Sequence, residues 1–307
     1  MFDSPELKNL SRYVRTYLGG LKTLCVEVDK QEWKYLEGGK GETVVFLHGA
    51  VGSKTQWRSL MQEYLQDYRV IAIDVPGLCV SQTFRFRKHS FRQYGVWLNK
   101  VLAELRLDKV HLVGASMGSA IAAYYAANHA EQVASLTLLG FPTNVLQHDG
   151  DHSQALQDLL DIDRIRTLED LQQAYSAAFY KAPSIPRIVL SYNLREFRKH
   201  QASLKSVLSD MVESFPVMIA SLRQIRTPTL IIHGLEDRVC PVLDADVWQR
   251  HLPHAQYHLL PECGHVIHLE RTEAVVPLHQ GFLRSSREAA RLKASAEEET
   301  GRFAIIE

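Results

Sequence analysis

The sequence predicts an α/β fold with a mostly parallel, doubly wound sheet and helices on both faces. Short β-branched runs alternate with longer helical segments along most of the chain, which is typical of parallel strands joined by crossover helices. Each of these runs is closed by Gly, Pro or Asp. The chain has 307 residues, of which 46% are hydrophobic, enough for one large core.

Eight strands are predicted in this sheet. The first two, at residues 24–28 and 32–35, are separated by Asp29 and Lys30, which fits an antiparallel pair joined by a tight turn. The other six lie at residues 43–47, 69–75, 110–113, 133–139, 229–233 and 256–260. Nearly continuous apolar runs of this kind are typical of parallel strands that are buried on both faces.

The alternation stops between residues 142 and 226, an interval too long for an ordinary loop. We interpret it as an inserted helical cap, whose apolar residues are candidates for lining a substrate pocket. Thr167 and Asp170 form a helix-start signal, the Pro-rich run 182–186 ends that helix and can open another, and Pro216 is expected to start or interrupt a third. The predicted division is a core domain (1–141 and 227–284), the cap (142–226) and a charged C-terminal helix or tail (285–307).

Charge and cysteine content argue against a nucleic-acid-binding protein and against a secreted protein held together by disulfides. Lys plus Arg and Asp plus Glu each total 35, and a net charge of zero does not favour nucleic-acid binding. The four cysteines include no Cys-x-x-Cys pair, and the N-terminus shows no apolar run of secretory-leader length, so a reduced, cytoplasmic location is expected. The uncharged run 110–130 is long enough to span a bilayer, but its glycines, asparagine and histidines favour a buried strand, turn and helix.

The stretch Gly114-Ala115-Ser116-Met117-Gly118 lies between a predicted strand and a helix of small residues. This is the strand-turn-helix context of a nucleophile elbow, in which a serine is displayed on a sharp turn. The two glycines fit that geometry because side chains there would collide with the neighbouring strand and helix. The pentapeptide by itself fits a tight packing corner equally well.

Two further polar residues follow predicted strands. Asp237 comes just after residues 229–233, and His265 lies in the loop after residues 256–260, where catalytic groups collect in open α/β sheets. Glu236 is the alternative acid and His268 the alternative histidine; the spacing Gly-x-x-Asp and the glycine before His265 favour the first pair. Taken singly, Asp237 could cap a helix and His265 could be an ordinary loop residue.

From about residue 26 to 283 the chain resembles the α/β-hydrolase superfamily, especially its capped esterases and monoacylglycerol lipases. The resemblance rests on His48-Gly49, the run 74–77 (DVPG), Gly114–Gly118, Gly234 to Asp237, and Gly264-His265 followed by Glu270-Arg271. Position 78–79 departs from the family, with Leu78-Cys79 where many members carry His-Gly.

The resemblance implies a serine hydrolase that cleaves carboxylic esters through an acyl-enzyme. Ser116 would attack the ester carbonyl, His265 would remove its proton and Asp237 would hold the imidazole. The backbone N–H groups of Ala50 and Met117 would bind the oxyanion. No cofactor is implied, and no HExxH or Cys-x-x-Cys frame indicates a metal.

Two other functions stay open at this point. Similar caps serve carbon–carbon bond hydrolases of the meta-cleavage-product type, and some members of the superfamily bind ligands without catalysis. An aspartate-nucleophile enzyme is disfavoured because position 116 is serine. The expected partner is a small ester with an apolar acyl chain. The basic and aromatic segment 84–92 fits either a solvated loop or a weak contact with an anionic membrane surface.

Overall fold

The computed structural model of the chain describes residues 19–79, 87–146, 161–243 and 245–303. They form an open eight-stranded sheet in the order β1-β2-β4-β3-β5-β6-β7-β8. The strands are β1 Lys22–Val28, β2 Gln31–Gly38, β3 Glu42–Leu47, β4 Tyr68–Ile73, β5 Val110–Ala115, β6 Val133–Leu139, β7 Thr229–Gly234 and β8 Gln256–Leu260. The predicted fold class and strand number are confirmed.

Strand β2 runs against its neighbours, and the rest of the sheet is parallel. It pairs antiparallel with β1 and with β4, whereas β3 to β8 pair in parallel. The turn between β1 and β2 is made by Asp29 and Lys30, with φ of 51° and 63°. Two successive residues at positive φ match the right-handed twist of a hairpin, so the predicted tight turn is present.

The described residues form eight α-helices. They are α1 Arg58–Gln62, α2 Phe91–Glu104, α3 Met117–Asn128, α4 Leu168–Ala178, α5 Arg187–Leu222, α6 Ala245–His251, α7 Ile267–Glu270 and α8 Thr272–Phe303. No helix in the described ranges is both long and apolar enough to cross a membrane. The uncharged run 110–130 is therefore β5, a turn and the whole of α3 rather than a single span.

The sheet separates two apolar cores. Side chains alternate along a strand, so Val45 and Leu47 of β3 join the core under α2, α3 and α5, while Val44 and Phe46 join the core under α1 and α8. All six residues of β5 are buried, as are all six of β7. This double burial explains why their sequences are apolar runs with no alternation of polar residues.

Two helices, α4 and α5, occupy the described part of the interval between β6 and β7. Thr167 and Asp170 form a reciprocal capping box at the start of α4, as the sequence predicts. The predicted break at Pro216 is wrong, because α5 continues through it from Arg187 to Leu222. Phe215 and Met218 are fully buried, and the Phe215 ring lies 5.1 Å from that of Phe91, so packing offsets the lost backbone hydrogen bond.

The last predicted boundary falls inside a helix. α8 runs from Thr272 to Phe303 and crosses residue 285 without a break, so the charged segment continues a helix that begins in the core. The described residues of the interval 142–226 are 142–146 and 161–226. The division into core and cap domains stays a prediction.

The basic and aromatic segment 84–92 is only partly described, from residue 87 onward. Lys88 pairs with Glu213 at 3.0 Å, and the backbone N–H of His89 donates to Asp210 at 2.9 Å. Phe91 is 1% exposed. These contacts attach the described part of the segment to α5, while the side chains of Arg87, Lys88 and Arg92 are exposed. Both interpretations of the segment, as a solvated loop or as a membrane contact, stay predictions.

Candidate active site

Ser116 lies on the turn between β5 and α3, in a backbone conformation that is rare for serine. Its φ is 52° and its ψ is −124°, a region that costs on the order of 1–3 kcal/mol for a residue with a side chain. The turn is held from both sides, since the Ser116 N–H donates to the Leu139 carbonyl at 2.9 Å and the Ser119 N–H donates to the Ser116 carbonyl at 2.8 Å.

Two glycines allow this turn to form. A Cβ at Gly114 would overlap the backbone of Gly118, and a Cβ at Gly118 would overlap the carbonyl oxygens of Leu47 and His48. Both positions are therefore closed to any larger residue unless the backbone moves. The structure thus gives the glycines the steric role that the sequence suggests, and it makes Ser116 a displayed side chain rather than a packing residue.

The structure brings Ser116, His265 and Asp237 together in one line of hydrogen bonds. Ser116 Oγ lies 2.9 Å from His265 Nε2, and His265 Nδ1 lies 2.8 Å from Asp237 Oδ2. A carboxylate can only accept, so Nδ1 carries the ring proton and Nε2 is left to accept from the serine hydroxyl. These residues are separated by up to 149 positions in sequence and meet because β5, β7 and β8 end at the same edge of the sheet.

Asp237 is held in its ionised form by four nearby donors. Oδ1 accepts from the backbone N–H groups of Val239 at 2.9 Å and Cys240 at 2.8 Å, and Oδ2 faces His265 Nδ1 at 2.8 Å and His233 Nε2 at 3.2 Å. Burial by itself raises the pKa of this carboxyl, and the hydrogen bonds from His233 and His265 outweigh burial, so the pKa of Asp237 lies well below its usual range.

The two alternative residues have other contacts. Glu236 Oε2 accepts from the Cys263 N–H at 3.0 Å, and the Glu236 N–H donates to the Cys263 carbonyl at 3.0 Å. His268 stacks on Trp57 with ring centroids 4.3 Å apart. Burial, together with the nearby His265 and a second histidine, lowers the pKa of His268 to about 3. Neither residue lies in the hydrogen-bond line of Ser116.

Of the two predicted oxyanion donors, Met117 follows Ser116 directly in the chain, and Ala50 follows Gly49, which packs against Ser116. Met117 is the first residue of α3, so its backbone N–H has no acceptor within the helix. Ala50 lies in the turn closed by the Gly52 N–H on the Gly49 carbonyl at 3.2 Å. A Cβ at Gly49 would lie 2.8 Å from Ser116 Cβ, so the loop after β3 passes directly against the serine.

A buried network that motif spacing did not predict fixes this loop. The Val75 N–H donates to His48 Nε2 at 2.8 Å, and His48 Nδ1 therefore donates to the Gly49 carbonyl at 2.7 Å. Asp74 is 1% exposed and accepts from the Lys54 N–H at 2.7 Å and from the Lys54 ammonium. The loops after β3 and β4 are thereby tied together.

The same network contains the His48, Asp74 and Cys79 side chains, whose possible metal-ligand atoms lie within 4.8 Å of one another. Both ring nitrogens of His48 take part in hydrogen bonds, and Asp74 is paired with Lys54. The donor set is thus used for structural contacts. Cys79 belongs to the Leu78-Cys79 departure from the family; both of its residues are buried, while residues 80 and 81 lie outside the described ranges.

Sequence reasoning assigned no role to two residues of the site. His233 is fully buried beside Asp237 and donates mainly to the Cys240 carbonyl, 2.7 Å from Nε2. A histidine at the end of an apolar strand was the available signal. Glu270 accepts a hydrogen bond from the Gly264 N–H at 2.8 Å. The family motif includes this glutamate, but nothing in the sequence indicates which backbone group it contacts.

The known proteins that the chain resembles include hydrolases and a lipase. The family model for the alpha/beta hydrolase fold matches residues 42–272. The chain is 29% identical to a 2-hydroxy-6-oxononadienedioate/2-hydroxy-6-oxononatrienedioate hydrolase of Paraburkholderia phymatum, over 89% of this chain and 95% of that protein. It is 25% identical to monoacylglycerol lipase ABHD6 of Bos taurus, over 80% and 77%.

A solved structure is similar over nearly the whole chain. The crystal structure of a membrane phospholipase A, described as a bacterial virulence factor, superposes with a TM-score of 0.81 at 28% identity and covers 92% of each chain. The match of the family model to most of the sequence agrees with the open sheet, the turn at Ser116 and the geometry around it. The chain belongs to the α/β-hydrolase fold family.

Proposed function

We propose that this hydrolase cleaves carboxylic esters with an apolar acyl group, by way of an acyl-enzyme on Ser116. The observation that carries the proposal is the line of hydrogen bonds from Ser116 Oγ through His265 to Asp237, at 2.9 and 2.8 Å. A serine hydroxyl is a weak nucleophile near neutral pH unless a base takes its proton. His265 Nε2 is placed to be that base.

The proposed reaction has two halves. Ser116 Oγ bonds to the ester carbonyl carbon while its proton passes to His265 Nε2, and the charge on the carbonyl oxygen is met by the N–H groups of Ala50 and Met117. His265 then gives the proton to the leaving alcohol as the ester bond breaks. In the second half, water attacks the acyl-enzyme with His265 again as the base, releasing the acid and free Ser116. Asp237 stabilises the imidazolium in both halves.

A cavity in the proposed cap is a candidate for holding part of the substrate. Its volume is about 430 Å³, within the range of small-molecule sites. Its lining is mixed: Leu168, Tyr175, Ile185 and Leu190 lie beside the polar residues Glu169, Gln172, Ser176, Ser184 and Arg187, and none of these residues belongs to the hydrogen-bond line of Ser116. Ser176 lines the cavity, and its carbonyl accepts a hydrogen bond at 3.2 Å from Arg238. Arg238 is next to Asp237 in the loop after β7, which we call the acid loop.

Carbon–carbon bond hydrolysis is the second candidate, favoured by the similarity to the hydrolase from Paraburkholderia phymatum. Substrates of that kind carry carboxylate groups, as the name of the relative states. A cavity whose lining includes one arginine and one glutamate fits a neutral chain better than a dianion, since each buried carboxylate needs a cationic or hydrogen-bonding partner. We therefore place ester hydrolysis first. A ligand-binding role without catalysis is third.

Hydrolysis of p-nitrophenyl esters from acetate to laurate, of monoacylglycerols and of a 2-hydroxy-6-oxo-dienoate separates these candidates. We expect kcat/KM to rise with acyl length, because each buried methylene adds about 0.8 kcal/mol of binding, and we expect the dienoate to be a poor substrate. Turnover of the dienoate without ester hydrolysis would establish the carbon–carbon reaction instead. Tight binding of an ester with no product would favour the ligand-binding role.

We further propose that the protein touches anionic membranes through a cap patch formed by residues 187–199 at the start of α5. Ile188, Val189 and Tyr192 are 80%, 42% and 56% exposed. The patch contains four basic residues and one acidic residue, and the Arg195 guanidinium lies 5.4 Å from the Tyr192 ring centroid. An exposed apolar surface flanked by basic side chains is complementary to a lipid surface of negative charge.

Replacing Ile188 and Tyr192 by Ser is expected to weaken sedimentation with phosphatidylglycerol vesicles by at least about tenfold, because a tenfold change needs only about 1.4 kcal/mol and one fully buried apolar side chain contributes about 1.5–3 kcal/mol. Wild-type binding should fall as salt increases and should be weaker on phosphatidylcholine. The control is Val217→Ser, which alters a residue of α5 that is 59% exposed and lies far from the cap patch. Equal vesicle binding by the wild type and the double variant would refute this contact.

A further inference from the structure

The end of α4 is bound to both loops that carry the partners of Ser116. We call residues 176–181 the cap strap. Its Ser176 carbonyl accepts from Arg238 of the acid loop at 3.2 Å, and its Ala178 carbonyl accepts from the backbone N–H of His265 at 2.8 Å and of Val266 at 3.3 Å. His265 and Val266 belong to the loop after β8, which we call the histidine loop. Its contact with the cap strap is therefore made by backbone groups on both sides.

Glycine at position 264 makes this close approach possible. A Cβ there would lie 2.7 Å from the Tyr180 nitrogen, 2.8 Å from the Ala178 oxygen and 2.8 Å from the Phe179 carbonyl carbon. Any larger residue would push the cap strap away from the histidine loop. The distance between the strap and His265 is thus set by direct backbone packing.

Glu270 joins the same two segments from the other side. Its Oε1 accepts from the Lys181 N–H at 2.8 Å, and its Oε2 accepts from the Gly264 N–H at 2.8 Å. One carboxylate therefore bridges the cap strap and the residue that precedes His265. Hydrogen bonds to an ionised acceptor are roughly twice as strong as neutral ones, so this bridge restrains the backbone on the N-terminal side of the histidine.

We propose that Glu270 is a positioning residue for His265 and that, through it, the cap strap forms part of the support of the catalytic base. The inference rests on the proposed function, since it requires His265 to act on Ser116. With the Gly264 N–H bound to Glu270 and the His265 N–H bound to Ala178, the backbone that carries the imidazole is held in place, and the hydrogen bond to Asp237 then orients the ring. A misplacement of about 1 Å in a catalytic group can cost about 10²-fold in rate.

A positioning role differs from a substrate-binding role in the kinetic constants that it changes. If Glu270 orients His265, Glu270→Ala should lower kcat for a short ester such as p-nitrophenyl acetate about 10- to 100-fold with little change in KM. The rate of Ser116 labelling by a fluorophosphonate should fall by the same factor, because that reaction needs His265 but makes little use of the cap cavity. The preference for long over short acyl chains should stay as in the wild type.

Glu270→Gln and Glu273→Gln complete the design. Gln can accept from one of the two N–H groups but presents an NH₂ to the other, so an intermediate loss is expected even if the alanine variant does not fold. Glu273 follows closely in sequence, is exposed and pairs with Arg271 at 2.9 Å, so its Gln variant should behave as the wild type. Thermal unfolding of each variant verifies that the fold is intact.

The outcomes separate this proposal from the proposed function. A wild-type protein that neither hydrolyses esters nor reacts with the fluorophosphonate would overturn both. A reactive wild type whose Glu270→Ala and Glu270→Gln variants are labelled at the wild-type rate would overturn the positioning role alone. A rise in KM for long-chain esters, with unchanged kcat and unchanged labelling, would assign Glu270 to the cavity rather than to His265.

Discussion

Replacement of Ser116 by Ala is expected to lower kcat for ester hydrolysis by a factor on the order of 10⁶, the scale measured when the nucleophile of a serine hydrolase is removed. The variant loses the atom that lies 2.9 Å from His265 Nε2, and the nearby Ser119 hydroxyl is bound to the Ser116 carbonyl. Steady-state assays with p-nitrophenyl esters give the rate, and mass spectrometry after fluorophosphonate treatment should locate the label on Ser116 in the wild type only.

Ser119→Ala is the matched control for this variant. Ser119 lies three positions further along the same turn, is fully buried, and donates its hydroxyl to the Ser116 carbonyl. Its replacement removes a hydroxyl from the same helix while leaving the line to Asp237 in place, so we expect activity within a few-fold of wild type. If Ser116→Ala kept a substantial part of the activity, the acyl-enzyme mechanism would have to be abandoned.

Replacement of Asp237 by Asn is expected to lower kcat about 10⁴-fold, as in other triads of this type. Oδ1 accepts from two backbone N–H groups and Oδ2 faces two histidines, so the amide NH₂ of Asn can only be accommodated on the histidine side. There it would donate to His265 Nδ1 and move the ring proton to Nε2. The ring nitrogen next to Ser116 would then be a donor and could not take the serine proton.

The neighbouring acid supplies the control. Glu236→Gln keeps an oxygen acceptor for the Cys263 N–H, so its kcat should stay within a few-fold of wild type. Because the pKa of Asp237 lies below its usual range, its titration should not appear in the wild-type pH–rate profile between about pH 5 and 9. Should Glu236→Gln be inactive and Asp237→Asn active, the two acids would have to exchange roles.

The strands and the positions of the site residues could be predicted from the sequence for a physical reason. Each of Ser116, Asp237 and His265 follows an apolar strand, and parallel strands place such positions at a common edge. The residues at which strands end were harder to predict. β5 extends to Ala115 because Gly114 and Ala115 continue the ladder with Leu138 and Leu139, and pairing of two small residues leaves no hydrophobic signal.

What the sequence could not predict depends on contacts between distant segments. Pro216 predicts a break in α5 by local rules, whereas the burial of Phe215 and Met218 keeps the helix intact. Glu270 and Lys181 are 89 positions apart, and the contact uses a backbone N–H that every residue except proline possesses. No side-chain pattern marks such a partner, so only the folded structure identifies it.

The hydrogen bond from the His265 N–H to the Ala178 carbonyl constrains the length of α4 more than its sequence. Any side chain at position 178 supplies the same carbonyl, so substitution there leaves the acceptor in place. A one-residue insertion earlier in α4, with the start of the helix fixed, would shift that carbonyl by about 1.5 Å along the helix and turn it by about 100°. A chimera in which α4 is taken from a relative must therefore keep the position at which α4 ends. This holds even where the two α4 sequences differ at every residue.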